Sequence, residues 1–437
     1  MSITIWGKKK LTPFVPCLGC FIILLYLRDF MGVSIPSMLF LGLAFLVAAF
    51  ADKTEVIAFC FCCIPVLNAF QSKYALLICM GLYICRFFRS LRLHLCIIPI
   101  ALLVVWECMH VIVGDFSGVE VLRLFTELFF CCFVMCLSPE DIDFKKIVRS
   151  MSVIAIGACC ILLLAQLKLY NFQIDMLFSG VFRLGYGVDE TKMSVGFNPN
   201  YLAYICLCCI EGIAFLVYKK QSKIIDLIYI SLLSVFGLLT MSKKFIVCAL
   251  IFLFLFLLSQ KGKLKTFLYV VIIIIVVLLV FQQVFPTAYD ALLLRFNQDD
   301  MSTGRGDIFS YFNEQLMSDM GLLLFGVGLQ GYGDKLLTRY DFSIPHNGFQ
   351  ELLVMWGIPG LLIFVSFLIL LLSRGKKLNK HIRFVNYIPF IIMMLNVQVS
   401  QMVSSSVVNI LTAFVYICLV TNMDSNQEPE EMKLLGV

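Results

Sequence analysis

The feature that most constrains this chain is a succession of apolar blocks, most of them near the length of a bilayer crossing, joined by short polar connections. A bilayer core is about 30 Å thick and takes roughly 20 helical residues to cross. Backbone N–H and C=O groups find no water in hydrocarbon, so each block is read as a helix. The blocks fall at 11–28, 31–51, 55–71, 74–88, 93–113, 119–138, 148–169, 199–218, 224–240, 244–259, 265–285, 348–372, 384–401 and 402–422. The third and fourth are short, and the last two are separated by almost nothing. This pattern predicts an all-α polytopic membrane helix bundle of about 14 spans, a single integral membrane domain over 1–437 with one long loop, 286–347, inserted in it. Composition points the same way. Charged residues make up 14% of the chain, against about 25% in a soluble domain, which is too few to cover a water-exposed globule of this size.

Orientation follows from the placement of lysine and arginine, which favour cytoplasmic loops. With the N-terminus inside, the inner connections hold Lys8 to Lys10, Arg86, Arg89 and Arg92, Lys145, Lys146 and Arg149, Lys219, Lys220 and Lys223, Lys261, Lys263 and Lys265, and the cluster from Arg374 to Arg383. This assignment puts 22 of the 34 basic residues inside and 11 outside, with Arg123 within a span. It predicts both termini in the cytoplasm, an uncleaved first span after Lys8-Lys9-Lys10, a short acidic disordered tail after Asp424, and the polar segments 170–198 and 286–347 on the outer face. The net charge of +6 is therefore a topology signal, and the lipid bilayer rather than nucleic acid is the expected partner. The nineteen cysteines all fall within hydrophobic segments, so they read as small apolar packing residues and not as a disulfide framework or a zinc site.

The outer loop is where the chain looks enzymatic, since long ordered loops tend to be functional. Residues 305–320 read as an amphipathic helix, with Ile308, Phe312, Leu316 and Met320 four apart. The run Gly326-Val327-Gly328-Leu329-Gln330-Gly331 matches GxGxxG, but it lacks the strand before and the helix after that a dinucleotide site needs. It reads instead as tight turns with close backbone approach. Of the four histidines, His94 and His381 sit among basic residues on the inner side, and His110 lies near the outer end of its span. His346 stands where the long loop re-enters the bundle. Lys243 and Lys244 occupy a very short outer connection. They read equally as snorkelling cations or as an anion site that holds a phosphate group. Arg305 opens the amphipathic helix, either solvated or as a phosphate ligand. Asp299-Asp300 read as solvated acids, with no metal assigned. Arg123 and Glu127, four apart within a span, read as an internal ion pair or a polar patch facing the bundle interior.

Four stretches in order carry a family resemblance: Gly196-Phe197-Asn198-Pro199-Asn200-Tyr201-Leu202-Ala203; Leu239-Thr240-Met241-Ser242-Lys243-Lys244; Ser302-Thr303-Gly304-Arg305 followed by Leu324-Phe325-Gly326-Val327-Gly328; and His346-Asn347-Gly348-Phe349-Gln350-Glu351-Leu352-Leu353 with Gly357-Ile358-Pro359-Gly360. Together they resemble the O-antigen ligase and O-antigen polymerase superfamily of Wzy-like membrane glycosyltransferases. That family usually has arginine after the serine of the second stretch, where this chain has Lys243-Lys244; a lysine holds phosphate as a point charge without the arginine fork. The resemblance implies a GT-C-like enzyme of the bacterial inner membrane, working without cofactor or metal and with inversion. It would move a glycan from undecaprenyl pyrophosphate to an acceptor hydroxyl on the outer face. It also implies His346 and Arg305 as catalytic residues, Lys243, Lys244 and Arg305 as pyrophosphate ligands, and a polyprenyl-pyrophosphate-linked oligosaccharide and a chain-length regulator protein as partners. A polymerase of repeat units is the first expectation and a ligase of finished glycan the second. A flippase for lipid-linked oligosaccharides would show paired repeats and midplane polar groups, and the chain has no visible repeat.

Overall fold

The computed structural model describes residues 12–66, 72–114, 119–178, 182–185, 198–260, 305–329, 345–400 and 406–422, with isolated residues between 279 and 293. Among the described residues every regular element is helical. The first seven α-helices are α1 (Phe14–Asp29), α2 (Ser37–Phe50), α3 (Lys53–Cys62), α4 (Ser72–Phe87), α5 (Ile97–Gly114), α6 (Val119–Cys136) and α7 (Phe144–Leu169). There follow α8 (Pro199–Tyr218), α9 (Ile224–Leu239), α10 (Lys243–Leu258), α11 (Arg305–Ser318), α12 (Met320–Phe325), α13 (Gly348–Leu378), α14 (Phe384–Val397) and α15 (Ser406–Val420). Among the described residues α5, α7, α8 and α13 are long and apolar enough to cross a membrane. The chain is thus an all-α membrane protein, and the number of spans, about 14 from the sequence, remains a proposal. The block at 265–285 lies outside the described residues, apart from isolated positions.

Local chemistry sets the helix starts. Asp52 and Glu55 form a reciprocal capping box at α3, and Asp143 accepts the Lys146 N–H at 2.9 Å to open α7. The core is built around α7, which packs on α1, α3, α8 and α9, and around α15, which packs on α6, α13 and α14. Phe61 on α3 meets Phe130 of α6 and Phe414 of α15 edge-on, at centroid distances of 5.4 and 6.5 Å. All nineteen cysteines are free, and fifteen are buried among these helices, in keeping with a packing role.

Three expected boundaries are corrected. The block 55–71 is not one spanning helix: α3 has 10 residues, about 15 Å or half a bilayer core. It passes into a 3₁₀ turn at Ile64–Val66, because Pro65 has no N–H to continue the ladder. Every residue of α3 from Glu55 to Cys62 is buried, so it is a helix of the interior. The block 384–401 ends early as a helix, with α14 finishing at Val397 and capped at Gln398. Finally, the amphipathic helix ends at Ser318. Phe312 and Leu316 are buried as expected. Asp319 caps the next helix by accepting Leu322 N–H at 3.0 Å, so Met320 falls out of the four-residue spacing and is exposed.

The bundle has two distinguishable ends. A cleft of about 750 Å³ at one end gathers Glu140, Lys145, Lys219, Lys380, His381 and Asn422, and the start of α1 lies beside Lys145 and Lys146 at the same end. The loops that the sequence assigns to the inner side therefore converge. His94 sits just before α5, where burial and then the Arg374 and Lys377 charges hold its imidazole below the ordinary histidine value. We term this the basic end. Helices α8 and α13 run toward it and α14 runs away from it, with Arg383 of the α13–α14 connection donating to the Tyr218 hydroxyl at 3.3 Å. The starts of α8, α10 and α13 and the finish of α14 consequently share the opposite end.

Candidate functional site

At that opposite end the starts of two helices are tied together. Asn198 caps α8 by accepting Asn200 N–H at 3.0 Å, with Pro199 in the first helical position. Ser242 caps α10 through Phe245 N–H, and its hydroxyl donates to Asn200 Oδ1 at 2.8 Å. The α9–α10 turn is sharp: Met241 has φ 51°, and the Thr240 hydroxyl donates to Gly237 O at 2.6 Å while accepting Ser242 N–H at 3.3 Å. A clip from the segment before α8 braces this turn. Leu184 N–H donates to Leu239 O at 2.8 Å, and Arg183 Nε–H donates to Thr240 O at 3.1 Å. Gln166 holds the clip from both sides, donating to Arg183 O at 3.1 Å and accepting Gly185 N–H at 3.0 Å.

Lys243, the first residue of α10, has its ammonium buried with no hydrogen-bond partner among the described residues. A cation at a helix N-terminus is unfavourable by roughly 0.3–1 kcal/mol, because unpaired N–H groups make that end positive. The turn that carries Lys243 also ties together the starts of two helices, and helix starts bind anions through their N–H groups. Lys244, by contrast, already engages another group. The two adjacent lysines, equivalent in sequence, thus have different surroundings.

His346 and Asn347 lead into α13. Asn347 caps it, accepting Phe349 and Gln350 N–H at 3.0 and 3.2 Å, and donates from Nδ2 to Gln398 O at 3.1 Å. Half-buried His346 is thereby held between the starts of α13 and the end of α14. Gln350 Nε2 donates to Phe309 O at 2.7 Å and to Asn313 Oδ1 at 2.9 Å, so α11 lies against the first turn of α13. Arg305 begins α11 one turn before Phe309; its side chain lies outside the described residues. The structure therefore brings the backbone at Arg305 to within about a helical turn of the Gln350 anchor, itself one turn beyond His346. Asp299 and Asp300 lie outside the described residues.

The glycine run closes a backbone clamp. Val327 and Gly328 N–H donate to Val354 and Met355 O at 3.0 and 2.8 Å. At Gly357, φ is 64° and ψ −168°, which kinks α13. A Cβ on Gly326 would collide with Met355 O, and one on Gly357 with Leu324 O, so each glycine admits the other's backbone. Glu107 of α5, fully buried, accepts Trp356 Nε1–H at 2.7 Å and Leu329 N–H at 2.8 Å. His110 bonds Trp106 O and Phe325 O at 2.9 and 2.8 Å. The run is a structural joint, as the reading of tight turns with close approach expected, and His110 serves that joint.

With this geometry in hand, comparison with known families is decisive for the second half of the chain. Residues 228–365 match the O-antigen ligase family model. The match supports the O-antigen ligase and polymerase superfamily for this chain. No curated protein matches it. The matched segment contains Lys243, Lys244, Arg305 and His346, and also both halves of the glycine clamp.

Around the matched segment lie residues that sequence reasoning passed over. Glu107 and Trp356 were hidden within apolar blocks, and Arg183 stood in a polar stretch with no spacing to connect it to the α9–α10 turn. Asn200 was noticed only as part of a motif; its bond to Ser242 needs the fold. Glu127, expected in a polar patch facing the interior, is buried and accepts Asn409 Nδ2–H at 2.8 Å.

Proposed function

We propose that this protein is a polysaccharide polymerase of the bacterial inner membrane, joining undecaprenyl-pyrophosphate-linked oligosaccharide repeat units into a surface polysaccharide on the outer face. The observation that carries the reading is the buried Lys243 ammonium, without a hydrogen-bond partner among the described residues, on the turn that joins the starts of α8 and α10, within a segment that matches an O-antigen ligase family. In this reading both termini are cytoplasmic and the 286–347 loop is outside.

The chemistry is displacement at the anomeric carbon. The acceptor hydroxyl oxygen attacks that carbon and a glycosidic C–O bond forms. The bond from the anomeric carbon to the pyrophosphate oxygen breaks, and its electron pair leaves with the diphosphate. Fixed cations and N–H groups at a water-poor boundary stabilise that charge. Lys243 is the first of these cations, with Arg305 and Lys244 as the further pyrophosphate ligands of this reading. Neutral His346 takes the acceptor proton, a role worth about 10²–10⁴ in rate. A chain-length regulator would act on the same outer face.

Glycan profiling tests this. A deletion strain of a polymerase leaves single repeat units on the acceptor, and neither His346→Ala nor Arg305→Ala at matched expression restores the ladder. If both variants restore a normal ladder, the site assignment is wrong. The ligase is the second reading, favoured by the name of the matched family. It predicts instead loss of all surface glycan with long lipid-linked polymer accumulating.

A further inference from the structure

A chain of side-chain amides lies beside His346, separate from the lysine turn. Asn313 Oδ1 of α11 accepts from Gln350 Nε2 of α13, the cap Asn347 accepts the Gln350 backbone N–H at Oδ1, and Asn347 Nδ2 donates to Gln398 Oε1 at the end of α14. Gln350 is 4% exposed. Both contacts of its Nε2 are with carbonyl oxygens, Phe309 O and Asn313 Oδ1, which fixes the amide's orientation. Its Oε1 is then buried with no donor among the described residues. Asn396, two residues before Gln398 and 1% exposed, has a buried Nδ2 with no acceptor among the described residues. The unsatisfied acceptor thus lies toward the Asn313 end of this network, and the unsatisfied donor lies on α14 beyond its Gln398 end. Unpaired buried amides cost free energy unless something completes them.

These groups are uncharged, so they do not suit a diphosphate, which the Lys243 turn would hold. They suit a ligand that both donates and accepts at several points, and sugar hydroxyls do so. We propose that the amide network from Asn313 to Gln398, with Asn396, is the subsite for the acceptor saccharide, with Gln350 Oε1 and Asn396 Nδ2 directed to its hydroxyls. The acceptor then lies on the His346 side and the lipid diphosphate on the Lys243 side, so that the attacking oxygen meets the base before the donor carbon. This inference rests on the glycosyl-transfer reading and specifies which face of the site takes which substrate.

Two variants test it. Asn396→Leu removes an amide whose Nδ2 makes no bond, so on structural grounds alone it leaves the protein folded as well as before. Gln350→Glu keeps an acceptor oxygen while removing the donor that faces Phe309 O. Membranes bearing each are assayed for transfer from the host's own lipid-linked repeat units to the same oligosaccharide released from its lipid by mild acid. Thermal stability in detergent is followed in parallel. The expected result is an acceptor KM raised at least tenfold in Asn396→Leu, with the KM for the lipid-linked donor and the melting temperature unchanged, and a similar rise in acceptor KM in Gln350→Glu. If wild type transfers sugar and both variants keep the wild-type acceptor KM, the subsite is wrong while the enzyme reading stands. If wild type transfers nothing under conditions where its deletion abolishes the surface glycan, the glycosyl-transfer reading falls and takes the subsite with it.

Discussion

Two groups of basic residues in this molecule are built on opposite principles. At the basic end, the corner where α3, α7 and α9 meet pairs its cations. Lys53 Nζ lies 2.8 Å from Asp141, Lys146 Nζ lies 3.7 Å from Glu55 and 3.0 Å from Thr54 Oγ1, and Arg149 grips both oxygens of buried Asp226 at 2.8 and 2.5 Å. At the other end, the α9–α10 turn places the Lys243 ammonium in a buried position with no hydrogen-bond partner among the described residues. Paired cations fix helices; a buried cation with no partner among the described residues, set against a helix dipole, contributes no such tie. Arg374 shows that pairing is not universal at the basic end: its Nε and Nη2 are also buried without partners among the described residues, close to the Tyr416 hydroxyl.

The comparison can be broken most forcefully at Arg149. Arg149→Met leaves Asp226 as a buried unpaired carboxylate, and breaking such a pair costs about 3–5 kcal/mol. The expected outcome is a large drop in folded protein extracted from membranes, measured by fluorescence-detected size exclusion. A variant as stable as wild type would show that the corner is not structural.

Lys243→Met should do the reverse. Transfer from lipid-linked donor falls about 100- to 1,000-fold, the usual effect of removing one group that stabilises departing charge, while the melting temperature holds or rises. A large stability loss with proportionate activity loss would make Lys243 a structural residue after all. Lys243→Arg, which supplies a fork in place of a point charge, is expected to keep the ladder.

Gly357→Ala tests the joint that carries His346 and α11 into position. An L-residue in the left-handed region costs about 1–2 kcal/mol, and its Cβ collides with Leu324 O. Reduced melting temperature and shortened glycan chains are expected together; an unchanged ladder would separate the clamp from the site. Lys244→Met should have the smallest effect, less than about tenfold on transfer, since Lys244 already engages another group. An effect equal to that of Lys243→Met would remove the distinction between the two lysines.

The sequence by itself determined that the chain is helical and apolar, because hydrocarbon leaves the backbone no other way to satisfy its polar groups. The order of its motifs also placed a family resemblance between residue 196 and about 372, a stretch that includes the matched segment 228–365. Adjacent charges could be seen to be unusual in a short connection, and the glycine run could be recognised as turns, because both properties are local. Only the tertiary structure decided which of two neighbouring lysines has a buried ammonium without a hydrogen-bond partner among the described residues. It alone cut the third block to the ten residues of α3 and an interior position, and joined Glu107 to Trp356 across 249 residues. It also aligned four amides from three helices beside His346. The physical reason is the same in each case: burial and hydrogen-bond satisfaction depend on which helices meet, and periodicity within a helix does not specify its neighbour.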